Sequence, residues 1–286
     1  YLFEDTPSEL LHLGIGQTVF VHTFAPDRPY QAANVCLPRI QALILEQLPA
    51  DIAELDAHFA ERGADVRLLL VPSKITLYGD RFTRVAPPNV VRACTRTARN
   101  NPLVALNDTG SGLIHYPWGA MREGRDDPDF YPSGSFHWQG ESVHAVMESW
   151  IAAQPETPLR PLDGTYETVE LEQDIPGIVG FDRHYYGRQY SYLAHGVHRI
   201  TEAPEGFPRA VLARQRVQHY LADNPVFDRR VLVISNSFGI EGHLHLAPIY
   251  RELLDGWAVQ YAPDTVIILL HDSAALRTGQ VVEALR

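Results

Sequence analysis

The sequence is poor in cysteine, in lysine and in long apolar runs. Only Cys36 and Cys94 occur in 286 residues. They stand far apart and fit no metal-ligand spacing, which excludes a cysteine-built metal centre. A disulfide between them and two buried free thiols are both open readings. No apolar run reaches the ~18 residues of a membrane span. No signal-peptide pattern is present either. The start at Tyr1-Leu2-Phe3, without Met, reads as that of a trimmed chain, so a missing signal says little about location. Lysine occurs once, as Lys74, and GC-rich coding bias is a sufficient explanation. Positive charge is scarce as a whole: the formal net charge is -11. That argues against a nucleic-acid partner, which needs a basic patch. An anionic small substrate stays open, because one cleft can differ from the mean.

What is present is a globular composition, 45% hydrophobic and 21% charged. The length suits one large α/β domain or two small ones. Thr18 to Phe24 reads as an early strand. Leu37 to Arg62 carries Ile40, Leu43, Ile44, Leu48, Ile52, Leu55 and Phe59 at helical spacing, with Pro49 as an expected break. Val66 to Val71 is a buried strand closed by Pro72. Val90 to Asn100 reads as a helix, and Leu103 to Leu106 as a short strand. Glu141 to Ala153, Phe207 to Ala222 and His243 to Leu254 read as helices, the last with Pro248 at a late start or kink. Val231 to Ile234 and Thr265 to Leu270 are apolar strands, and Gln280 to Leu285 is a terminal helix. Alternating helices and apolar strands indicate a parallel sheet with crossover helices. Between Pro155 and Glu205 the periodicity lapses, and Pro, Gly, Tyr and His accumulate. We read this stretch as an insertion over one end of the sheet, in a single domain spanning residues 1–286.

The most informative segment is Val231-Leu232-Val233-Ile234-Ser235-Asn236-Ser237-Phe238-Gly239. Four apolar residues run into small polar ones, as where a buried parallel strand ends in a turn that exposes a serine. Gly134-Ser135-Phe136-His137-Trp138 supplies a histidine for that serine. Ser237 and His137 have the residue types of a nucleophile and its general base.

Taken in order, these segments resemble the alginate O-acetyltransferase-like group of SGNH-type proteins. Tyr1-Leu2-Phe3 resembles the group's Gly-Trp-Leu-Phe start. Val71-Pro72-Ser73-Lys74 with Tyr78 resembles its Val-Pro-x-Lys-x-x-x-Tyr segment. Phe136-His137-Trp138 with Gly140 resembles its Asp-x-His-Trp-x-x-x-Gly segment, with an earlier glycine. Ile234-Ser235-Asn236-Ser237-Phe238 resembles its Gly-Asp-Ser-Phe nucleophile turn. Pro263-Asp264-Thr265-Val266-Ile267-Ile268 resembles its last strand. The matches span nearly the whole chain.

The resemblance implies a three-layer αβα sandwich around a parallel sheet, SGNH hydrolase-like, with permuted motif order. It implies acetyl transfer to a hydroxyl of an exported polysaccharide through an acetyl-serine. The acetyl group would come from a membrane-bound acyltransferase. The location would be periplasmic or otherwise extracytoplasmic, with an anchor outside this chain as an open reading. No metal or organic cofactor is implied. Asn236, Phe238 and Gly239 would shape the turn and the oxyanion site, and the Ser237 N–H would be the first oxyanion donor. Gly239 would let a ligand come close to the backbone. Trp138, Lys74, Tyr78, Tyr190 and His243 are candidates for contacting substrate, although Lys74 and Tyr78 also suit a structural role.

Two positions depart from the pattern. Ser135 stands where the group has its acid, and Ser235-Asn236 replaces Gly-Asp. Asn236 is nearly isosteric with Asp and can brace the turn through side-chain hydrogen bonds. Three readings follow from Ser135. His137 works in a dyad, oriented by Ser135 or a backbone carbonyl. An acid comes from elsewhere, with Asp127 and Asp129 nearby in sequence. Or the site is inactive and binds polysaccharide in an export complex. An acetylesterase using the same serine and histidine is a further alternative. His243 and His245, two apart on a helix, would face different ways and so make a poor metal pair. His271-Asp272 reads as a solvated loop. The tyrosines from Tyr185 to Tyr192 would stack sugar rings or pack on one another.

Overall fold

Strands rich in Val, Ile and Leu on both faces must be covered on both faces, and here they are. The computed structural model describes residues 11–13, 18–21, 31–82, 86–109, 111–172, 184–200, 218–255 and 262–285. Its strands, in chain order, are β1 (Leu11–Leu13), β2 (Val19–Val21), β3 (Asp65–Val71), β4 (Ile114–His115), β5 (Thr165–Glu172), β6 (His184–Ser191), β7 (Val197–Ile200), β8 (Gln218–Ala222), β9 (Phe227–Ser235), β10 (Tyr250–Asp255) and β11 (Thr265–His271). Its α-helices are α1 (Pro38–Ala60), α2 (Lys74–Leu77), α3 (Pro88–Arg99), α4 (Trp118–Gly124), α5 (Glu141–Ala152), α6 (Gly239–Leu246) and α7 (Thr278–Leu285).

The central sheet has seven strands in the order β4-β3-β11-β9-β10-β8-β7. The five from β4 to β10 are parallel. β8 and β7 add an antiparallel edge. Every residue of β11 is buried. Ile268 pairs with Leu68 on one side and Ile234 on the other. α1 and α7 pack together on one part of the sheet, and α5 packs on α6, which lies over β9, β10 and β11. This is the layered α/β sandwich that the resemblance implied. Because the strands are parallel, β3, β9 and β11 all end at the same edge, where ligand sites of such sheets lie.

Several elements differ from the sequence reading. α1 runs unbroken through Pro49. Its buried stripe of Gln41, Ile44, Leu48, Ile52 and Leu55 outweighs the roughly 3 kcal/mol of an interior proline. Leu103 to Leu106 is no strand but part of a 3₁₀ helix, Pro102–Asp108. Pro102 opens it, and the Asn101 side chain caps it by accepting the Leu103 N–H at 3.0 Å. Residues 218–222 form β8 rather than the end of a helix. The expected helix His243 to Leu254 is two elements: α6 stops at Leu246, ahead of Pro248, and Tyr250 opens β10. Residues 22–24 and 207–217 lie outside the described residues. Cys36 and Cys94 are buried free thiols. Burial, then the neighbouring Cys94, pushes the Cys36 thiol up.

Within the stretch from Pro155, β5 and β6 pair as an antiparallel ribbon from Thr165↔Ser191 to Glu172↔His184. This ribbon packs on α5. β7 then joins the sheet edge beside β8.

Candidate active site

Ser237 follows β9 by two residues, at the carboxyl edge of the sheet, and is exposed. Its turn is held by bonds of short range. Asn236 Oδ1 accepts the Phe238 N–H at 3.0 Å, and Asn236 O accepts the Gly239 N–H at 2.9 Å. The Asn236 N–H reaches across to Leu269 O on β11 at 3.3 Å. Asn236 thus braces the turn as an Asx turn would. Its Nδ2 is a buried donor that meets no acceptor among the described residues, a local strain of about 1–3 kcal/mol beside the serine. The N–H groups of Phe238 and Gly239 are used inside the turn, so neither is an oxyanion donor here. Gly239 also does not serve ligand approach. A Cβ there would meet Ser235 Oγ at 1.9 Å, so the glycine makes room for that hydroxyl.

The histidine turn is held from far away in sequence. Lys74, at the carboxyl end of β3, donates from Nζ to the carbonyls of Pro132 (2.7 Å), Ser133 (2.6 Å) and Ser135 (2.7 Å). These three bonds match the donor capacity of an ammonium. Lys74 is 2% exposed, so its expected substrate contact is replaced by a clamp on the segment leading to His137. Tyr78, also 2% exposed, lies in the core with its ring beneath the Arg81 guanidinium and against Tyr131. Burial pushes its phenol up. It too is a structural residue. Ser135 is fully buried.

Aromatic packing joins the two turns. Trp138, fully buried, donates from Nε1 to Phe238 O at 2.8 Å and stacks on the Phe238 ring. The His137 ring lies 5.5 Å from the Phe238 ring, centroid to centroid, and Phe136 lies 5.7 Å from it. The contact between the serine and histidine segments therefore runs through Phe238, the residue after Ser237. Trp138 is a tie between turns rather than a substrate contact.

His271 and Asp272 are not a solvated loop. His271 is 6% exposed and packs on Phe238 and Phe136, with Nδ1 2.5 Å from Ser273 Oγ. Burial holds its imidazole down at about 3, with Arg277 and His137 adding to the effect. Asp272 is fully buried and accepts the Ser73 N–H at 3.0 Å and the Tyr116 O–H at 2.8 Å. It ties the ends of neighbouring β3 and β11. Burial raises its pKa, and these bonds oppose the rise. Asp127, one candidate for a remote acid, faces Arg188 at 4.0 Å and accepts the Asp129 N–H.

The β5–β6 ribbon closes one side of the site. Its backbone lies against Gly140, two residues after Trp138. A Cβ on Gly140 would meet Arg188 O at 2.2 Å, and its φ is +52°, so only glycine fits. Arg188 Nη1 pairs with Glu141 at 3.0 Å, and Glu141 also accepts the Tyr190 O–H. Tyr190 stacks on His144 at 4.0 Å between centroids. Tyr192 OH bridges His144 Nδ1 (3.0 Å) and His245 Nδ1 (2.6 Å). Burial pushes His245 down to about 3. His243 is buried elsewhere, with Nδ1 on Gly239 O at 2.6 Å and its ring on Tyr220. It braces α6, and the two histidines face different partners. Between ribbon, α5 and α6 lies a cleft of about 230 Å³ that starts at Gln139 and Gly140 and includes Tyr190 and His245. Sequence reading missed Arg188, Glu141 and His144 and gave Tyr192 only as one of a run of tyrosines, since their meeting depends on how the ribbon folds back.

No protein-family model matches the chain, and no curated relative matches it in sequence. Solved structures do match in fold. The O-acetyltransferase domain of Pseudomonas putida AlgJ aligns over 96% of this chain and 98% of its own, with TM-score 0.56 and 13% identity. A DHHW family protein from Eubacterium siraeum covers 98% and 95%, with TM-score 0.55 and 11% identity. Bacillus cereus PatB1 covers 81% and 90%, with TM-score 0.55 and 14% identity. The fold implied by the resemblance to the alginate O-acetyltransferase-like proteins is therefore the fold this chain has.

Proposed function

We propose that the chain is an O-acetyltransferase acting on hydroxyls of an exported polysaccharide. The observation that carries this reading is the exposed Ser237 on a braced turn, packed through Phe238 against the turn of His137. The fold shared with an O-acetyltransferase domain supports it. In the first step Ser237 Oγ attacks the carbonyl carbon of an acetyl ester. His137 takes the serine proton and passes it to the leaving oxygen as the donor C–O bond breaks. In the second step a sugar hydroxyl attacks the acetyl-serine. His137 takes the hydroxyl proton and returns it to Ser237 as that ester breaks. The Ser237 N–H is the oxyanion donor we assign.

The acid is the open element of this mechanism. Ser135 is fully buried in its place, so His137 acts as the base of a dyad. Absence of a triad acid lowers rates by about 10⁴-fold, and this favours the second reading, a polysaccharide-binding protein without turnover. An acetylesterase would use the same residues with water as acceptor. An extracytoplasmic setting and an acetyl supply from a membrane-bound acyltransferase are parts of the proposal that rest on the resemblance. Among the described residues no helix is long and apolar enough to cross a membrane.

Turnover of p-nitrophenyl acetate, with and without a soluble oligosaccharide, tests the proposal. Ester cleavage with acetyl appearing on sugar supports the transferase. Acetate alone indicates an esterase. No cleavage by folded protein indicates the binding protein.

A further inference from the structure

Cys36 and Cys94 are the chain's only cysteines, and the fold brings them together. Cys36 closes the 3₁₀ helix Gln31–Cys36, and Cys94 lies midway along α3, which packs on that helix. The two side chains are within hydrogen-bonding reach of each other. Cys94 Sγ also lies 4.0 Å from Ala33 O, one turn before Cys36. One turn further along α3, Thr97 Oγ1 donates to Cys36 O at 3.4 Å and accepts from Gln41 Nε2 at 2.9 Å. These bonds hold the two backbones together around the thiol pair. Gly79 presses on α3 at the same turn, where a Cβ would meet Cys94 O at 2.4 Å and Cys94 Cβ at 2.8 Å, so α3 is packed in place there. A thiol is a weak hydrogen-bond donor, so neither sulfur has a strong bond to lose. At 1% and 0% exposure, neither can meet a cysteine of a second molecule, and no third cysteine competes.

We propose that Cys36 and Cys94 are a disulfide-forming site, closed when the chain meets a disulfide oxidant and open in the reduced chain. In the first step one cysteine thiolate attacks a sulfur of the oxidant, whose S–S bond breaks and releases a thiolate, leaving a mixed disulfide. The other cysteine thiolate then attacks the protein sulfur of that mixed disulfide, and the second oxidant thiolate leaves. The two cysteine protons go to the two released thiolates, so the pair loses two electrons and the oxidant gains two. Burial pushes the Cys36 thiol up, so exchange is slow in the folded chain and the bridge is set during folding. The closed loop carries α1, β3 and α2, and with them Lys74. Closing it removes freedom from the unfolded chain. Oxidising compartments supply such an oxidant and a reduced cytoplasm does not, so the state of the pair also reports where the chain folds. None of this depends on the transferase reading. The full chain, unfolded in guanidinium, is refolded in glutathione buffer of oxidising or reducing poise, then denatured again and trapped with N-ethylmaleimide. From the oxidising buffer a monomer lighter by about 2 Da that takes no maleimide is expected; from the reducing buffer, one that takes a maleimide on each cysteine. The oxidised protein is expected to melt at least about 5 °C above the reduced one, with no such rise in Cys36→Ser or Cys94→Ser. Native protein held in sub-denaturing urea with glutathione disulfide gives the same reading without full unfolding. Two free thiols after both routes, a lasting glutathione adduct on one cysteine, or a bridge that lowers the melting temperature would each overturn the proposal.

Discussion

The two turns of the candidate site are held by different means. The serine turn is braced mainly from within, where Asn236 accepts from Phe238 and Gly239, and is tied to β11 by the Asn236 N–H to Leu269 O and to the histidine turn by Trp138 Nε1 to Phe238 O. The histidine turn has local bonds too, Ser135 N–H to Pro132 O at 3.2 Å and Tyr131 O–H to Phe136 O at 2.7 Å, but three carbonyls of its segment are held by Lys74, 58 to 61 residues away in sequence. A turn braced mainly from within keeps its shape when Lys74 is lost. A clamped one does not. The nucleophile should therefore tolerate that change, while the base should be lost when its clamp is cut.

His137→Ala should have the largest effect on this comparison. It should lower ester turnover by about 10²-fold, the loss left to a histidine that already lacks its acid, with the fold intact, read by initial rates and circular dichroism. Lys74→Met comes next. It removes three charge-assisted bonds and leaves buried carbonyls behind, so stability should fall by about 3–5 kcal/mol, read as a urea midpoint shift at constant m. A change under 1 kcal/mol would show that the clamp is not needed. Gly140→Ala forces a Cβ into Arg188 O at a positive φ. A loss of about 1–3 kcal/mol is expected, with faster hydrogen exchange in β5 and β6 than in β9. Trp138→Phe removes the bond to Phe238 O and part of a fully buried ring, and should lower stability by about 1–3 kcal/mol.

A separate test is pH dependence. Burial holds His245 and His271 at about 3 and His115 at about 4, below the roughly 6.5 of unfolded histidine. Between those values the unfolded chain binds more protons than the folded one. Stability from these groups is full above about pH 6.5 and is lost as pH falls towards 4 and 3. Urea midpoints at pH 7, 5.5 and 4.5 should decline in that order; a flat series would refute the buried neutral imidazoles.

The same contrast governs what the sequence discloses. Ser237 and its strand are legible because apolar residues followed by Ser-Asn-Ser carry a local signal. β3 and β11 are legible for the same reason. The 3₁₀ helix at Pro102–Asp108 was hidden because Leu-Val-Ala-Leu has strand-like residues, and the cap at Asn101 decided otherwise. The helix expected from His243 to Leu254 merged two apolar elements across Pro248. The clamp at Lys74, the burial of Asp272 and the Tyr192 bridge are contacts between segments distant in sequence, and no local pattern encodes them. Lys74 was visible as a lone lysine within a Val-Pro-x-Lys pattern, and its chemistry as a buried ammonium on three carbonyls came from the fold.

The central claim is that Ser237 is a working nucleophile although Ser135 stands in place of the acid. Intact mass after exposure to an activated acetyl ester tests it most directly, on the wild type and Ser237→Ala. The account predicts one acetyl adduct on the wild type and none on the variant. Wild-type protein that is folded yet takes up no acetyl group, or a variant that takes up as much, would contradict it.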